Sequence, residues 1–249
     1  TLGDELKRIG YDGDLKCAPR PLGAFFEAHI EQGPILEAEE KTIGVVQGVQ
    51  GIRWFEIEVL GMESHAGTTP MERRKDALVG VSRMVSEAHR IGEAAMPDGR
   101  TTIGYMEVHP NSTNVIPGRV FFRADVRHPD ANFLDGMEDE FHSACEKIAV
   151  ELGLELNFNR IWYSEPVIFD EACVNAVQKA ANGLGHANRP ITSGAGHDAV
   201  YVSRIAPTAM IFIPCEDGIS HNEIEEATPS DLAAGCDVLL NAMVARANA

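Results

Sequence analysis

The chain has 249 residues, of which 44% are hydrophobic and 24% charged, and a formal net charge of −17. That length suits one large domain or two small ones, with ample apolar content for a packed core. The acidity argues against a nucleic-acid partner, whose phosphates call for a basic patch, and an anionic ligand would need a local cluster of positive groups.

Five cysteines, Cys17, Cys145, Cys173, Cys215 and Cys236, are scattered without a C-x-x-C spacing. They read as reduced, small apolar residues of a cytoplasmic protein rather than as a zinc ribbon or redox pair. The N-terminus has no apolar signal core, and the longest apolar run, around residues 209–213, is far below the ~18 residues of a membrane span. No membrane partner is expected.

In chain order, residues 23–30 and 43–50 predict strands rich in Phe, Ile and Val. Residues 52–60 alternate, with Phe55, Ile57 and Val59 on one face and Glu56 and Glu58 on the other, the pattern of a half-buried antiparallel strand. Thr69 as N-cap, Pro70 at the first position and Glu72 closing a capping box predict a helix running to near Gly92. Its predicted core stripe is Leu78, Val81, Met84, Val85 and Ala88. Residues 101–109 and 119–127 predict two further strands; on the second, Val120, Phe122, Ala124 and Val126 face the core, and Arg119, Arg123, Asp125 and Arg127 face away. A helix over 131–152, burying Phe133, Leu134, Met137, Phe141, Ile148 and Leu152 and stopped by Gly153, precedes a strand over 154–163. The resulting β-α-β-β-α-β order is the split βαβ arrangement, and it places an inserted domain at about 48–164.

Beyond Glu165 and Pro166 the pattern reads as a helix over 170–184, a glycine-rich loop, a strand over 208–213 and a final helix. Thr228, Pro229, Ser230 and Asp231 open that helix, with Leu232, Cys236, Leu239, Leu240 and Met243 as its expected buried side. Such alternation predicts an α/β fold, a parallel sheet with helices on its faces, built as one discontinuous domain from residues 1–47 and 165–249.

The chemistry-bearing motifs sit at expected strand ends, where ligands bind in α/β sheets. His29 stands in Phe-Phe-Glu-Ala-His-Ile-Glu-Gln-Gly-Pro, crowded by Glu27, Glu31 and Gln32, a set that is costly to bury without a cation. His221, in Gly-Ile-Ser-His-Asn-Glu, is a weak signal alone, and a capping role competes equally. Arg127 ends the polar face of its strand; a strand arginine ordinarily makes a surface salt bridge, yet its planar fork is the best match for a carboxylate. His65, in Ser-His-Ala-Gly-Thr-Thr-Pro just ahead of the predicted helix start, reads equally as a cap. Gly194 to Asp198 (Gly-Ala-Gly-His-Asp) resembles a phosphate loop in glycine content alone, since the P-loop lysine is missing, and no serine elbow accompanies His197 and Asp198.

Together, Glu-Ala-His-Ile-Glu-Gln-Gly, Ser-His-Ala-Gly-Thr-Thr-Pro, Asn-Ser-Thr-Asn-Val-Ile-Pro-Gly, Asp-Val-Arg-His-Pro, Gly-Ala-Gly-His-Asp-Ala and Gly-Ile-Ser-His-Asn resemble the zinc-dependent amidohydrolase branch of the M20 metallopeptidase family, the N-carbamoyl-L-amino acid hydrolases and allantoate amidohydrolases. The resemblance spans essentially the whole sequence. It implies a metallopeptidase-like catalytic domain carrying an inserted, ferredoxin-like lid and dimerisation domain, and hydrolysis of a carbamoyl C–N amide bond. N-carbamoyl-L-amino acids are the first expectation, with allantoate or β-ureidopropionate as alternatives on the same scaffold.

Of two divalent ions, zinc first with manganese, cobalt or nickel as alternatives, His29 would ligate one and His221 the other. Gln32, Asn114 and Arg127 would hold the substrate carboxylate, and Gly196 would line the pocket. His65 would reach into the partner subunit of a homodimer to stabilise the oxyanion. The family's remaining ligands, an upstream histidine, a bridging aspartate and a Glu-Glu pair, have no counterpart in this sequence. The resemblance thus covers the C-terminal part of such an enzyme, expected to be inactive alone. A non-catalytic dimerisation module is the reading of another class.

Overall fold

The computed structural model describes residues 1–15, 18 and 20–249; Cys17, among the cysteines read above as reduced, lies outside the described residues. Its elements are α1 (Leu2–Arg8), β1 (Phe25–Ile30), α2 (Ile35–Ala38), β2 (Ile43–Val49), β3 (Gly51–Leu60), β4 (Ser64–His65), α3 (Ala77–Ala94), β5 (Arg100–His109) and β6 (Val115–Ile116). They continue with β7 (Arg119–His128), α4 (Ala131–Leu152), β8 (Glu155–Ser164), β9 (Val167–Ile168), α5 (Glu171–Gly183), β10 (Asn188–Ser193), α6 (Asp198–Val202), β11 (Thr208–Ile213) and α7 (Pro229–Ala247). None of these helices is long and apolar enough to cross a membrane.

One sheet runs β1-β11-β2-β10, with β9 paired to β2. It is mixed rather than parallel: β1 with β11 and β2 with β10 are parallel, but β11 with β2 and β2 with β9 are antiparallel. All six residues of β11 are buried, as a central strand covered on both faces requires. The core here joins Val45, Val46, Ile211 and Phe212 to Val177 of α5 and Val238 of α7.

A second, fully antiparallel sheet runs β5-β7-β3-β8, with α3 and α4 on one face. Phe55, Ile57, Val59, Val120, Phe122, Met84 and Phe141 form its separate core. The strict alternation of β3 and β7 is what divides these strands into a covered face and an open one. Gly153, left-handed at φ 64, ends α4.

Several sequence expectations are corrected. The helix predicted from Thr69 and Pro70 begins only at Ala77, with Asp76 as its cap accepting from the Leu78 and Val79 N–H groups. Thr69 and Pro70 lead into a single 3-10 turn, Met71–Arg73. Arg74 explains the delay: it is extended and its guanidinium donates back to the carbonyls of Ala66 (2.7 Å) and Thr69 (3.1 Å), which pins the loop open. Of the residues expected in the core, Leu78 remains about one-third exposed and Phe133 is largely exposed; Phe133 stacks on His128 instead, with ring centroids 5.0 Å apart. The glycine-rich loop expected after α5 contains β10 and α6.

The final helix starts at the predicted cap, yet it buries a different stripe. Ala234, Gly235, Val238 and Ala242 face the sheet, whereas Leu232, Cys236, Leu240 and Met243 are exposed. Close approach decides this: a Cβ at Gly235 would lie 2.8 Å from the Ile213 side chain, so the small-residue stripe is the one that fits. Thr228 Oγ1 accepts the Asp231 N–H at 3.1 Å. Thr228→Ala is therefore expected to cost about 1 kcal/mol, read as a lower urea midpoint, with Thr228→Ser nearly neutral.

Candidate active site

The parallel pair β1 and β11 ends at one edge, with His29 in register with Phe212 and Ile30 with Ile213. His29 Nδ1 lies 2.8 Å from the Ile30 carbonyl oxygen, which can only accept. That contact calls for a proton on Nδ1, so the neutral imidazole has its lone pair on Nε2, the tautomer a metal ligand requires. The carboxylates that crowd His29 in sequence accept backbone N–H groups. Glu31, 9% exposed, caps α2 by accepting the Ile35 and Leu36 N–H groups at 3.0 and 2.7 Å. Burial raises its carboxyl above the usual range and those two donors oppose the rise. Glu27 accepts the Ala199 N–H at the start of α6 at 2.8 Å.

His197 is the buried histidine of the site, its ring 4.8 Å from that of His29. Its Nε2 lies 2.8 Å from Ser193 Oγ, which donates to the Ala195 carbonyl and accepts the Ala195 N–H. This closes the Gly194 loop from below. Burial pushes the imidazole down to about 4, the neighbouring His29 acts in the same direction, and Asp198 opposes both.

Loop β1–α2 and the loop after β11 are laced together. Gln32 Nε2 donates to Ser220 Oγ at 2.9 Å, Ser220 donates to Glu225 at 2.7 Å, and Glu225 also accepts the His221 N–H at 3.2 Å. The Ser220 hydroxyl holds the Glu225 carboxyl below its usual range. Gln32 and His221 both adopt left-handed backbone, φ 59 and 57, a strained state for residues with a Cβ. Such strain persists where the surroundings impose it, and it clusters at ligand sites.

Gln32 and His221 line one cleft of about 560 Å³, together with Arg127, Arg100, Gln50, Thr102 and Gly194. Arg127 spans the two sheets. Its Nε and Nη2 donate to Asp125 at 2.8 and 2.6 Å, and its Nη1 donates to the Gly194 carbonyl at 2.6 Å. Asp125 also accepts Trp54 Nε1 at 2.9 Å.

The other sequence-predicted residues lie elsewhere. Gly196 lines a smaller adjoining pocket of about 230 Å³ with His197 and Gln50. His65 and Asn114 come together at the β4–β6 corner, outside the cleft and both exposed; Ala66 N–H donates to the Asn114 carbonyl at 3.0 Å. His65 is a strand residue and not a helix cap. Its Nδ1 accepts the Gly67 and Thr68 N–H groups at 3.0 and 3.2 Å, which places its own proton on Nε2. Sequence reasoning missed Arg100, Gln50 and Asp125 as site residues. Arg100 had one available signal, its position opposite Arg127 once β5 and β7 are paired.

The donor set does not complete a metal centre: among the described residues no three His, Cys, Asp or Glu side chains converge.

The pattern of peptidase family M20/M25/M40 matches residues 7–245, and the chain belongs to that family. It is 43% identical over 244 residues to the N-carbamoyl-L-amino-acid amidohydrolase of Rhizobium meliloti, covering 98% of this chain and 59% of that protein. To the allantoate amidohydrolase of Escherichia coli (strain K12) it is 35% identical over 247 residues, covering 95% and 58%. Among solved structures, the hydantoinase/carbamoylase family amidase from Burkholderia multivorans matches with a TM-score of 0.94 at 57% identity, covering 99% of this chain and 60% of that one. The chain thus spans roughly three-fifths of the length of these relatives.

Proposed function

We propose that the enzyme carrying this chain hydrolyses the carbamoyl C–N bond of N-carbamoyl-L-amino acids, with allantoate or β-ureidopropionate as the alternative substrates. The observation that carries this reading is the convergence of Gln32, Arg127 and His221 on one cleft at the ends of β1 and β11. A cleft of that volume suits a small polar metabolite. Asp125 takes the Nε–Nη2 edge of Arg127 and the Gly194 carbonyl takes one Nη1 N–H, which leaves one N–H on each terminal nitrogen for the substrate carboxylate.

Enzymes of this family generally use divalent metal ions. His29, through Nε2, and His221 would contribute one imidazole each to two ions, zinc first; among the described residues no three His, Cys, Asp or Glu side chains converge to complete such a centre. Such ions supply Lewis-acid polarisation of the scissile carbonyl and an activated water. The exposed His65 Nε2–H, with Asn114 beside it and neither facing this cleft, supports a role in the active site of a second copy. Residues 48–164 would then form the inserted lid and dimerisation domain of a homodimer, and 1–47 with 165–249 the catalytic part. A cytoplasmic setting agrees with the free state of Cys145, Cys173, Cys215 and Cys236.

Turnover of a panel of N-carbamoyl-L-amino acids, allantoate and β-ureidopropionate by the metal-reconstituted enzyme tests the substrate class. Failure on every member would sink the reading. For the chain by itself, elemental analysis after dialysis is expected to find less than stoichiometric metal, because two imidazoles do not hold a dinuclear centre; two tightly held ions would refute that expectation.

A further inference from the structure

Arg127 brings no net charge to the cleft, because Asp125 neutralises it through a two-pronged pair. Directly across the antiparallel ladder stands Arg100, paired in register with Arg127 and lining the same cleft. Like charges directly opposite on neighbouring strands are destabilising. Asp125 is paired with one of the two cations; Glu31, the carboxylate that lines the cleft, is taken up by the Ile35 and Leu36 N–H groups and makes no ion pair with Arg100. Arg100 is anchored through Nη1 to the carbonyls of Pro97 and Gly99, the latter at 2.8 Å; among the described residues these are its protein partners, and its Nε and Nη2 make no further protein bond.

Gln50, 7% exposed, adds a second observation. Its Nε2 donates to the Asp98 carbonyl at 2.9 Å, which fixes the turn leading into Arg100. Its Oε1 is buried, lies in a residue that lines the cleft, and has no hydrogen-bond partner in the protein. A buried acceptor left unpaired is costly, and such atoms are the ones a ligand N–H satisfies.

We propose that Arg100 is a further substrate-binding residue: it supplies a guanidinium without a carboxylate partner of its own that captures the carboxylate of an α-ureido acid, with Gln50 as its positioning residue and as an acceptor for the ureido N–H. The inference rests on the amidohydrolase reading for the identity of the ligand. Arg127 orients the carboxylate, whereas Arg100, bonded to carbonyls alone, adds a cation whose charge no protein carboxylate takes up.

The test is a binding titration of this chain with N-carbamoyl-L-alanine and with its uncharged counterpart, N-carbamoyl-L-alaninamide. The two tryptophans report on the cleft, since Trp54 is bonded to Asp125 and Trp162 lies 4.9 Å from it. The wild type is expected to prefer the acid, and Arg100→Gln to reduce the acid-to-amide affinity ratio by about tenfold or more, as loss of a charged hydrogen-bonding partner implies. Arg100→Lys should restore part of the ratio, because the charge returns without the fork. Gln50→Leu should weaken acid and amide together, since both carry the ureido N–H. An unchanged ratio in Arg100→Gln, equal loss for acid and amide in that variant, or no binding of the acid by the wild type each overturns the inference. Failure of the hydrolase reading shows separately, as absent turnover of the panel by the metal-reconstituted enzyme.

Discussion

Arg127→Ala in the metal-reconstituted enzyme is expected to lower kcat/KM for carboxylate-bearing substrates by roughly thirty-fold to several thousand-fold. Losing one partner of a desolvated charge pair costs roughly 2–5 kcal/mol, and each ~1.4 kcal/mol is a factor of ten. The side chain stands on the open face of β7, so the buried row from Val120 to Val126 is untouched. Its removal does free Asp125, two residues earlier on the same strand, and the Gly194 carbonyl, its partner beside the other sheet. Arg127→Lys should rescue little, because one ammonium cannot hold Asp125, Gly194 and a carboxylate at once. The control is a substrate amide: if kcat/KM falls as far for the amide as for the acid, Arg127 serves the fold, and its assignment to the carboxylate is wrong.

Phe55→Ala is expected to destabilise the protein by roughly 3–5 kcal/mol, the range for emptying a fully buried aromatic site. Phe55 is 0% exposed, at the centre of β3, with rings of Phe158 and Phe141 at 5.0 and 6.5 Å. For a protein of this size that corresponds to a fall in Tm of roughly 6–20 °C. Because the two hydrophobic cores are separate clusters, the loss should fall on the unit built from β3, α3, β5, β7, α4 and β8. Hydrogen exchange resolved by segment would show it: faster exchange in β3 and β7 with β2 and β11 unchanged is expected, and uniform acceleration of both sheets would contradict the separation.

What was readable before folding follows from local physics. Residues 119–128 alternate so strictly that β7, its buried face and the outward position of Arg127 could be assigned from the period alone. Thr228 and Pro229 mark the start of α7 correctly, because the cap needs only residues three positions apart. The Thr69 signal failed, and Asp76 caps α3 instead, for a reason outside the local window. Arg74 folds back on the carbonyls of Ala66 and Thr69, and no spacing rule contains that contact.

The sequence by itself determined the strand pattern of the second sheet, the termini of α4 and α5, the start of α7 and the presence of imidazole, amide and guanidinium groups in family-like motifs, since these depend on neighbours along the chain. Tertiary structure alone decided which stripe of α7 is buried, because the fit of Gly235 against Ile213 outweighs the hydrophobicity of Leu232 and Leu240. It also decided that Glu27 and Glu31 are satisfied by helix N–H groups, and that the Arg127 fork is half filled by Asp125. Arg100 became visible only through the β5–β7 register, which sets it against a residue 27 positions away in sequence. Charge balance in a cleft is a sum over groups brought together by the sheets, and that sum exists only once the chain has folded.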